Sequence, residues 1–387
     1  MKFRCSLFIC TILHFAGLMA QDYEVGQSHF SEMDYIEYIH GNLPIILSAP
    51  HGGYNKPAEI PDRDCSGCVY VMDAYTQELT REIAEIIFLQ TGCHPYVIIN
   101  RLHRDKLDAN RSIVTGADGN PLGEKAWNDF HGYIEFAQAE VEEKIGFGLF
   151  LDMHGHGHEI QRLELGYLLS GDELKLDAEE LNQENFVEDC SIAHLVGANI
   201  QNLSLSELLK GEQSFGSLID AQSYPAVPSS GDPFPADDPY FTGGFNTASY
   251  GSRDGGVIDA IQIECNQEVR FTESERKLFA QEMASTIIEF MFLHYNDFDL
   301  CQMTGNLETD VINFRIFPNP IIDVLNVSGL AKGFSFNVYN STGSLVFSRT
   351  DQAQIREIDL SSLPSGSYYL HVKNTDGNYA HSAFVKF

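Results

Sequence analysis

A chain of 387 residues with 43% hydrophobic and 20% charged side chains has the composition of a core-forming globular protein, not a disordered one, and is long enough for two or three domains. Its 55 acidic against 24 basic residues give a net charge of −31, which argues against nucleic acid or an anionic membrane as partner of the acidic part. The last 75 residues hold only six Lys/Arg and five Asp/Glu, so nearly all the excess charge lies upstream of them.

Residues 1–20, MKFRCSLFICTILHFAGLMA, pass from a basic start at Lys2 and Arg4 through an apolar stretch to Ala20. That stretch is shorter than the roughly 20 residues a spanning helix needs, so it reads as a secretory signal peptide. No later stretch is apolar enough to span a bilayer, and the mature chain is expected to have no transmembrane segment. From 21 to about 299, short apolar runs alternate with segments of helical period, predicting an α/β domain with a mostly parallel sheet flanked by helices. Strands are expected at 43–49, 94–101, 147–154 and 256–264. Helices are expected at 72–90, 123–144 and 273–295, the last opened by a capping box between Thr272 and Glu275. Residues 213–256, dense in Gly, Pro, Ser and Asp, read as a long binding loop or lid. After a linker at about 300–313, residues 314–387 become short alternating strands with turns at 341–343, 364–366 and 376–377, the pattern of a small all-β sandwich.

Cys5 and Cys10 leave with the signal, and the six remaining, Cys65, Cys68, Cys93, Cys190, Cys265 and Cys301, are an even set that could pair in an oxidising compartment. Cys65-Ser-Gly-Cys68 lacks a second Cys-x-x-Cys, so a local disulfide or free thiols suit it better than a structural zinc.

In an open parallel sheet, ligands bind beyond the carboxyl ends of the strands. The four expected strands end in SAPHGG with His51, in NRLHRDKLDANR with Arg101, Arg104 and Arg111, in DMHGHGH with Asp152, His154, His156 and His158, and in IQIECNQEVR with Glu264. Each has a bland reading: a surface histidine, a salt-bridged loop, a polar strand end, or an ion pair of Glu264 with Arg270. Together, two histidines and a carboxylate suit zinc with an open position for water, and Glu264 suits the base that takes the proton of that water. Gly155 and Gly157 interrupt the strand, so the row does not read as a ready-made three-histidine cage. Asp73, opening the first helix, is the chosen carboxylate, with Glu59, Asp62 and Asp64 in reserve.

The ordered set SAPHGG, PDRD, RLHRDKLDANR, DMHGHGH, YFTGGFNT and IQIECNQEVR resembles the N-formylglutamate amidohydrolase family over about residues 40–295. The resemblance implies a phosphorylase/hydrolase-like fold, related to zinc carboxypeptidases and muramoyl-alanine amidases, and hydrolysis of an amide such as N-formyl-L-glutamate. It implies His51 and His154 as Zn2+ ligands, Arg111 as a contact to a substrate carboxylate, and Glu264 as the base that later returns its proton to the leaving amine. The muramoyl amidase layout favours Asp73 as third ligand. Arg104, Asn110, His156 and Gly244 are further candidates for substrate contacts, and His158 is the weakest candidate of its row. The carboxypeptidase His-x-x-Glu pattern is absent after His51. The tail motifs FRIFPNPIIDVLNV, NVYNSTGSLVFS and IDLSSLPSGSYYLHV are similar to the C-terminal sorting domain of type IX secretion, implying export to the surface or beyond, usually with tail removal. The expectation is therefore a secreted zinc amidohydrolase acting on an N-acylated amino acid or small peptide-like amide. A cell-wall amidase, or a non-catalytic surface-binding protein on the same fold, is the alternative.

Overall fold

The computed structural model describes residues 23–295, 315–317, 321–328, 334–340, 345–351, 357–374 and 379–386; the signal peptide and the linker lie outside them. The larger domain is built on eight strands: β1 (Ser28–Phe30), β2 (Ile36–Ile39), β3 (Ile45–Ala49), β4 (Tyr96–Asn100), β5 (Gly148–Gly155), β6 (Leu163–Gly166), β7 (Ala226–Val227) and β8 (Ile258–Cys265). Their order in the sheet is β1-β2-β4-β3-β5-β8-β6-β7. The four strands expected from sequence form its centre and run parallel. The expectation of a mostly parallel sheet holds for this centre, while β2 joins β4 antiparallel and β6 joins β8 antiparallel, so the sheet as a whole is mixed. Those flanking strands are only four residues long, which is why no periodic signal announces them.

Alternation along the central strands sorts side chains between two cores. Ile45, Leu47, Val97, Ile99, Leu149, Leu151, Ile261 and Ile263 meet Leu79 and Ile83 of the helix Thr76–Thr91 and Phe279 and Met283 of the helix Glu273–His294. The residues between them, Ile46, Ile98, Phe150 and Ala260, meet Phe130, Ile134 and Ala137 of the helix Pro121–Lys144. The result is a helix–sheet–helix sandwich. The Pro121 helix is well started: Asn120 accepts hydrogen bonds from the Leu122 and Gly123 amides, and Pro121 supplies a preset first turn. Thr272 makes no such side-chain cap, so the capping box expected there is absent.

Two further expectations change. The first helix starts at Thr76, not 72, leaving Asp73 in the turn before it, where the Thr76 amide bonds to the Asp73 carbonyl. Residues 213–256 are not one loop. They contain helices Phe215–Asp220 and Phe245–Tyr250 and strand β7.

In the tail, a three-stranded and a four-stranded antiparallel sheet share a core, with Leu325, Val327 and Ile358 from one against Phe336, Val338, Leu370, Val372 and Phe384 from the other. This is the expected small sandwich; its turns at 341–343 and 376–377 lie outside the described residues. Among the described residues no helix is long and apolar enough to cross a membrane.

Candidate metal centre and substrate cavity

The face of the sheet that packs on the Pro121 helix turns polar towards the strands' carboxyl ends. Phe150 is followed at two-residue steps by Asp152 and His154, and Ala260 by Gln262 and Glu264. The register sets Asp152 beside Gln262, His154 beside Glu264, and Glu264 in turn beside Glu164 of β6. Above this row lies a cavity of about 270 Å3, lined among others by His51, Asp73, His154, Glu264, Arg111 and Phe241.

His51 enters from the turn after β3. A Cβ on Gly53 would strike the Arg101 and Leu102 backbone and one on Gly52 the Thr76 hydroxyl, so the chain turns here without side chains. The Asp73 amide donates to the His51 carbonyl at 3.1 Å, tying the turn after β3 to the turn before the Thr76 helix. Asp73 Oδ2 stands 3.3 Å from His51 Nδ1 and 3.2 Å from His154 Nδ1, and the two rings lie 4.8 Å apart, nearly edge to face. Tetrahedral zinc with ligands at about 2.0–2.1 Å separates its donor atoms by roughly 3.3 Å. The two separations at Asp73 match that value, the three donor atoms all lie within 4.8 Å of one another, and all three residues are buried, so the group could hold a metal ion.

The opposite ring nitrogens are also held. His51 Nε2 pairs with Asp108 Oδ1 at 2.6 Å and His154 Nε2 with Asp152 Oδ2 at 2.7 Å. Such outer carboxylates fix the ring orientation and leave Nδ1 as the nitrogen that could bind a metal. Asp152 is in turn held by the Ser48 hydroxyl at 2.5 Å, and Asp108 by Arg104 Nε at 3.1 Å. Burial opposes ionisation of Asp73 and Asp108, but the facing histidines, joined at Asp108 by Arg104 and Arg63, hold both carboxyls well below the usual range. At Glu264 burial, helped by Asp73 and Glu164, outweighs His154 and Arg104 and pushes the carboxyl up to about 8.

The other expected site residues fall into two groups. Arg111 is exposed, lines the cavity and has no ion pair among the described residues, so its guanidinium is available to a ligand. Gly244 also lines the cavity, at the start of the helix Phe245–Tyr250 and against Asn110, where a side chain would collide. Arg104 lines it too, but its guanidinium is spent on Asp108, on the Val71 carbonyl at 3.2 Å and on Asp73 at 3.6 Å. Asn110 Oδ1 accepts the Asn246 amide and its Nδ2 lies 3.3 Å from His154 Nε2. His156 has both ring nitrogens filled, Nε2 by the Arg162 carbonyl and Nδ1 by the His158 amide, and burial lowers its pKa. All three are bonded within the wall, and two of them touch the candidate metal group, Arg104 at Asp73 and Asn110 at His154. Of the reserve carboxylates, Glu59 bonds to the Tyr35 hydroxyl, Asp62 to Lys106, and the Asp64 amide to Asp118, and none lines the cavity.

Asp108, Asp152 and Glu164 carry no role among the expectations from sequence. Asp152 was within reach of the sequence, being two residues before His154 on one strand face; Asp108 and Glu164 depend on contacts across the fold. Cys65 and Cys68 form a local disulfide, in the segment that brings Val69 and Val71 to the cavity rim. Cys93 is also disulfide-bonded, while Cys190 and Cys265 are free and buried, so the even set does not pair throughout.

Residues 315–386 match the family described as the secretion system C-terminal sorting domain. The chain thus ends in a type IX secretion sorting domain, which directs it to that machinery and so to the cell surface or outside. No curated protein matches the chain. Among solved structures, PorZ, a surface component of the type IX system of Porphyromonas gingivalis, is 20% identical over 19% of this chain and 11% of its own, with a TM-score of 0.17. A gene product of Agrobacterium tumefaciens is 13% identical over 68% of this chain and 98% of its own, with a TM-score of 0.39. An immunoglobulin-like β-sandwich protein of Bacteroides vulgatus is 13% identical over 20% of this chain and 96% of its own, with a TM-score of 0.17.

Proposed function

We propose that the protein is an exported zinc-dependent amidohydrolase that cleaves the amide of an N-acylated, formyl-type amino acid or a small peptide-like substrate bearing a carboxylate. The observation that carries this reading is the convergence of His51 Nδ1, His154 Nδ1 and Asp73 Oδ2 on one point beside the buried carboxyl of Glu264. A divalent zinc ion held there would polarise the amide carbonyl and make water more acidic. Glu264, in its ionised form, accepts the proton that the attacking water loses. Arg111 at the rim anchors the substrate carboxylate by paired hydrogen bonds. A cavity of about 270 Å3 suits a substrate of amino-acid size.

The test is a panel of N-formyl and N-acetyl amino acids, short acylated peptides and muropeptide amides, offered to the purified zinc-loaded full-length protein and to E264Q. Turnover of one class by wild type and its loss in E264Q is the expected result. Equal inertness of the two across the panel would overturn the reading in favour of a surface-binding protein.

A further inference from the structure

The cavity wall holds an acid–base pair that this hydrolytic scheme leaves unused. Glu164 is buried on β6, next to Glu264 in the sheet, and no lysine or arginine pairs with it among the described residues. Its Oε1 lies 2.7 Å from His158 Nδ1, and its Oε2 accepts the Phe241 amide at 2.9 Å. The Phe241 ring stacks on the His158 imidazole at 5.0 Å with only 8° between planes. A carboxylate and an aromatic face thus hold the imidazole, and its Nε2 has no hydrogen-bond partner among the described residues. Both His158 and Phe241 line the cavity. The ionisable groups facing His158 are Glu164 and His156, with Glu159 and Asp238 on the adjoining hollow and Glu264, Arg104 and Arg111 across the cavity.

We infer that His158, positioned by Glu164 and Phe241, is the group that protonates the leaving nitrogen. The inference rests on the amidohydrolase reading and divides between two residues the proton transfers that the sequence resemblance gives to Glu264 alone. Water gives one proton to Glu264 while its oxygen adds to the carbonyl carbon. When the C–N bond breaks, its electron pair stays on nitrogen, which takes the proton from His158 Nε2. The carboxylic acid and the amine leave, and the proton on Glu264 returns through solvent to His158. Glu164 accepts the Nδ1 hydrogen of His158 and so fixes the ring with Nε2 as the nitrogen left to the cavity. His156 cannot share the task, because both of its nitrogens are bonded within the wall.

The discriminating experiment varies the leaving group. An alkylamine leaves only with a proton, whereas an anilide nitrogen needs less help. With zinc-loaded full-length protein, H158A is expected to lose about 100-fold or more in kcat on an alkyl amide and less than about tenfold on the matching anilide, the range of general-acid catalysis. Zinc per chain stays at the wild-type value. E164Q, which keeps the side-chain shape, is expected to show the same selective loss in milder form and covers the case that H158A folds poorly. Equal losses on both amides in E164Q and H158A would overturn the inference. So would loss of a zinc equivalent, which would make His156, His158 and Glu164 a second metal site. If H154A loses zinc and both activities while H158A matches wild type, the hydrolase reading stands and this inference falls; if wild type cleaves neither amide, both fall.

Discussion

His154 of β5 and Glu264 of β8 are opposed in parallel register, with His154 Nδ1 4.0 Å from Glu264 Oε1. Backbone hydrogen bonds of the sheet centre set that spacing, so the His154 imidazole and the buried carboxyl do not depend on loop conformation for their relation. Asp73, by contrast, arrives on a turn, and two short contacts hold it: its amide on the His51 carbonyl and the Gly155 amide on its Oδ2 at 3.2 Å.

From this follows a separation of metal binding from proton transfer. E264Q is expected to keep wild-type zinc content while its kcat falls by about 100- to 10,000-fold, the usual worth of a general base. H154A is expected to lose the metal. Zinc analysis beside steady-state kinetics on the same preparations checks both, and a zinc-free E264Q would make Glu264 a ligand instead.

The carboxylates behind the two histidines should control affinity more than chemistry. D108N and D152N each remove the charge that orients an imidazole, and each is expected to weaken zinc binding about 10- to 100-fold. Competition with a chromophoric chelator measures this. Restored turnover at saturating zinc would show that these residues act through the ligands.

The central strands were legible because their apolar runs are uninterrupted and both faces are covered, and their polar ends stand out against such runs. His51, His154 and Glu264 could be found that way. Asp73 was a choice among four acidic residues that only the fold separates, since the turn before the helix brings it to His51 while Asp62 and Asp64 stay on the surface. The bonding of Arg104, Asn110 and His156 could not be read locally, because their partners lie on other segments: Asp108 and Val71 for the arginine, Asn246 for the amide, Arg162 for the imidazole. Short helices such as Ala178–Leu181 and Ala193–Ala198 are below the length at which period is visible.

The two arginines of the cavity should separate in kinetics and stability. R111A is expected to raise KM about 10- to 100-fold for a carboxylate-bearing amide, from the loss of one or two charged hydrogen bonds, with little change in folding. R104A strips Asp108 of its closest guanidinium in a buried setting and should cost about 3 kcal/mol of stability. Urea denaturation together with KM values on a charged and a neutral substrate distinguishes the roles, and the reverse pattern would exchange them.

A pH-dependent stability is expected from one buried histidine of the Pro121 helix. His131 is buried against Trp127, its Nδ1 is 2.6 Å from the Tyr250 hydroxyl, and burial lowers its pKa from 6.5 to about 4, partly opposed by Asp152. The sign follows from proton counting: between about pH 6.5 and 4 the unfolded chain binds a proton at this residue and the folded one does not, so stability falls as pH falls. The loss totals on the order of 3 kcal/mol for a shift of this size, is absent above about pH 7, and levels off below pH 4, where both states are protonated. H131Q, which keeps a polar group near Tyr250, should flatten that part of the profile. Urea unfolding of wild type and H131Q at pH 7.5 and 4.5 measures the difference; equal losses in the two proteins would place the acid sensitivity elsewhere.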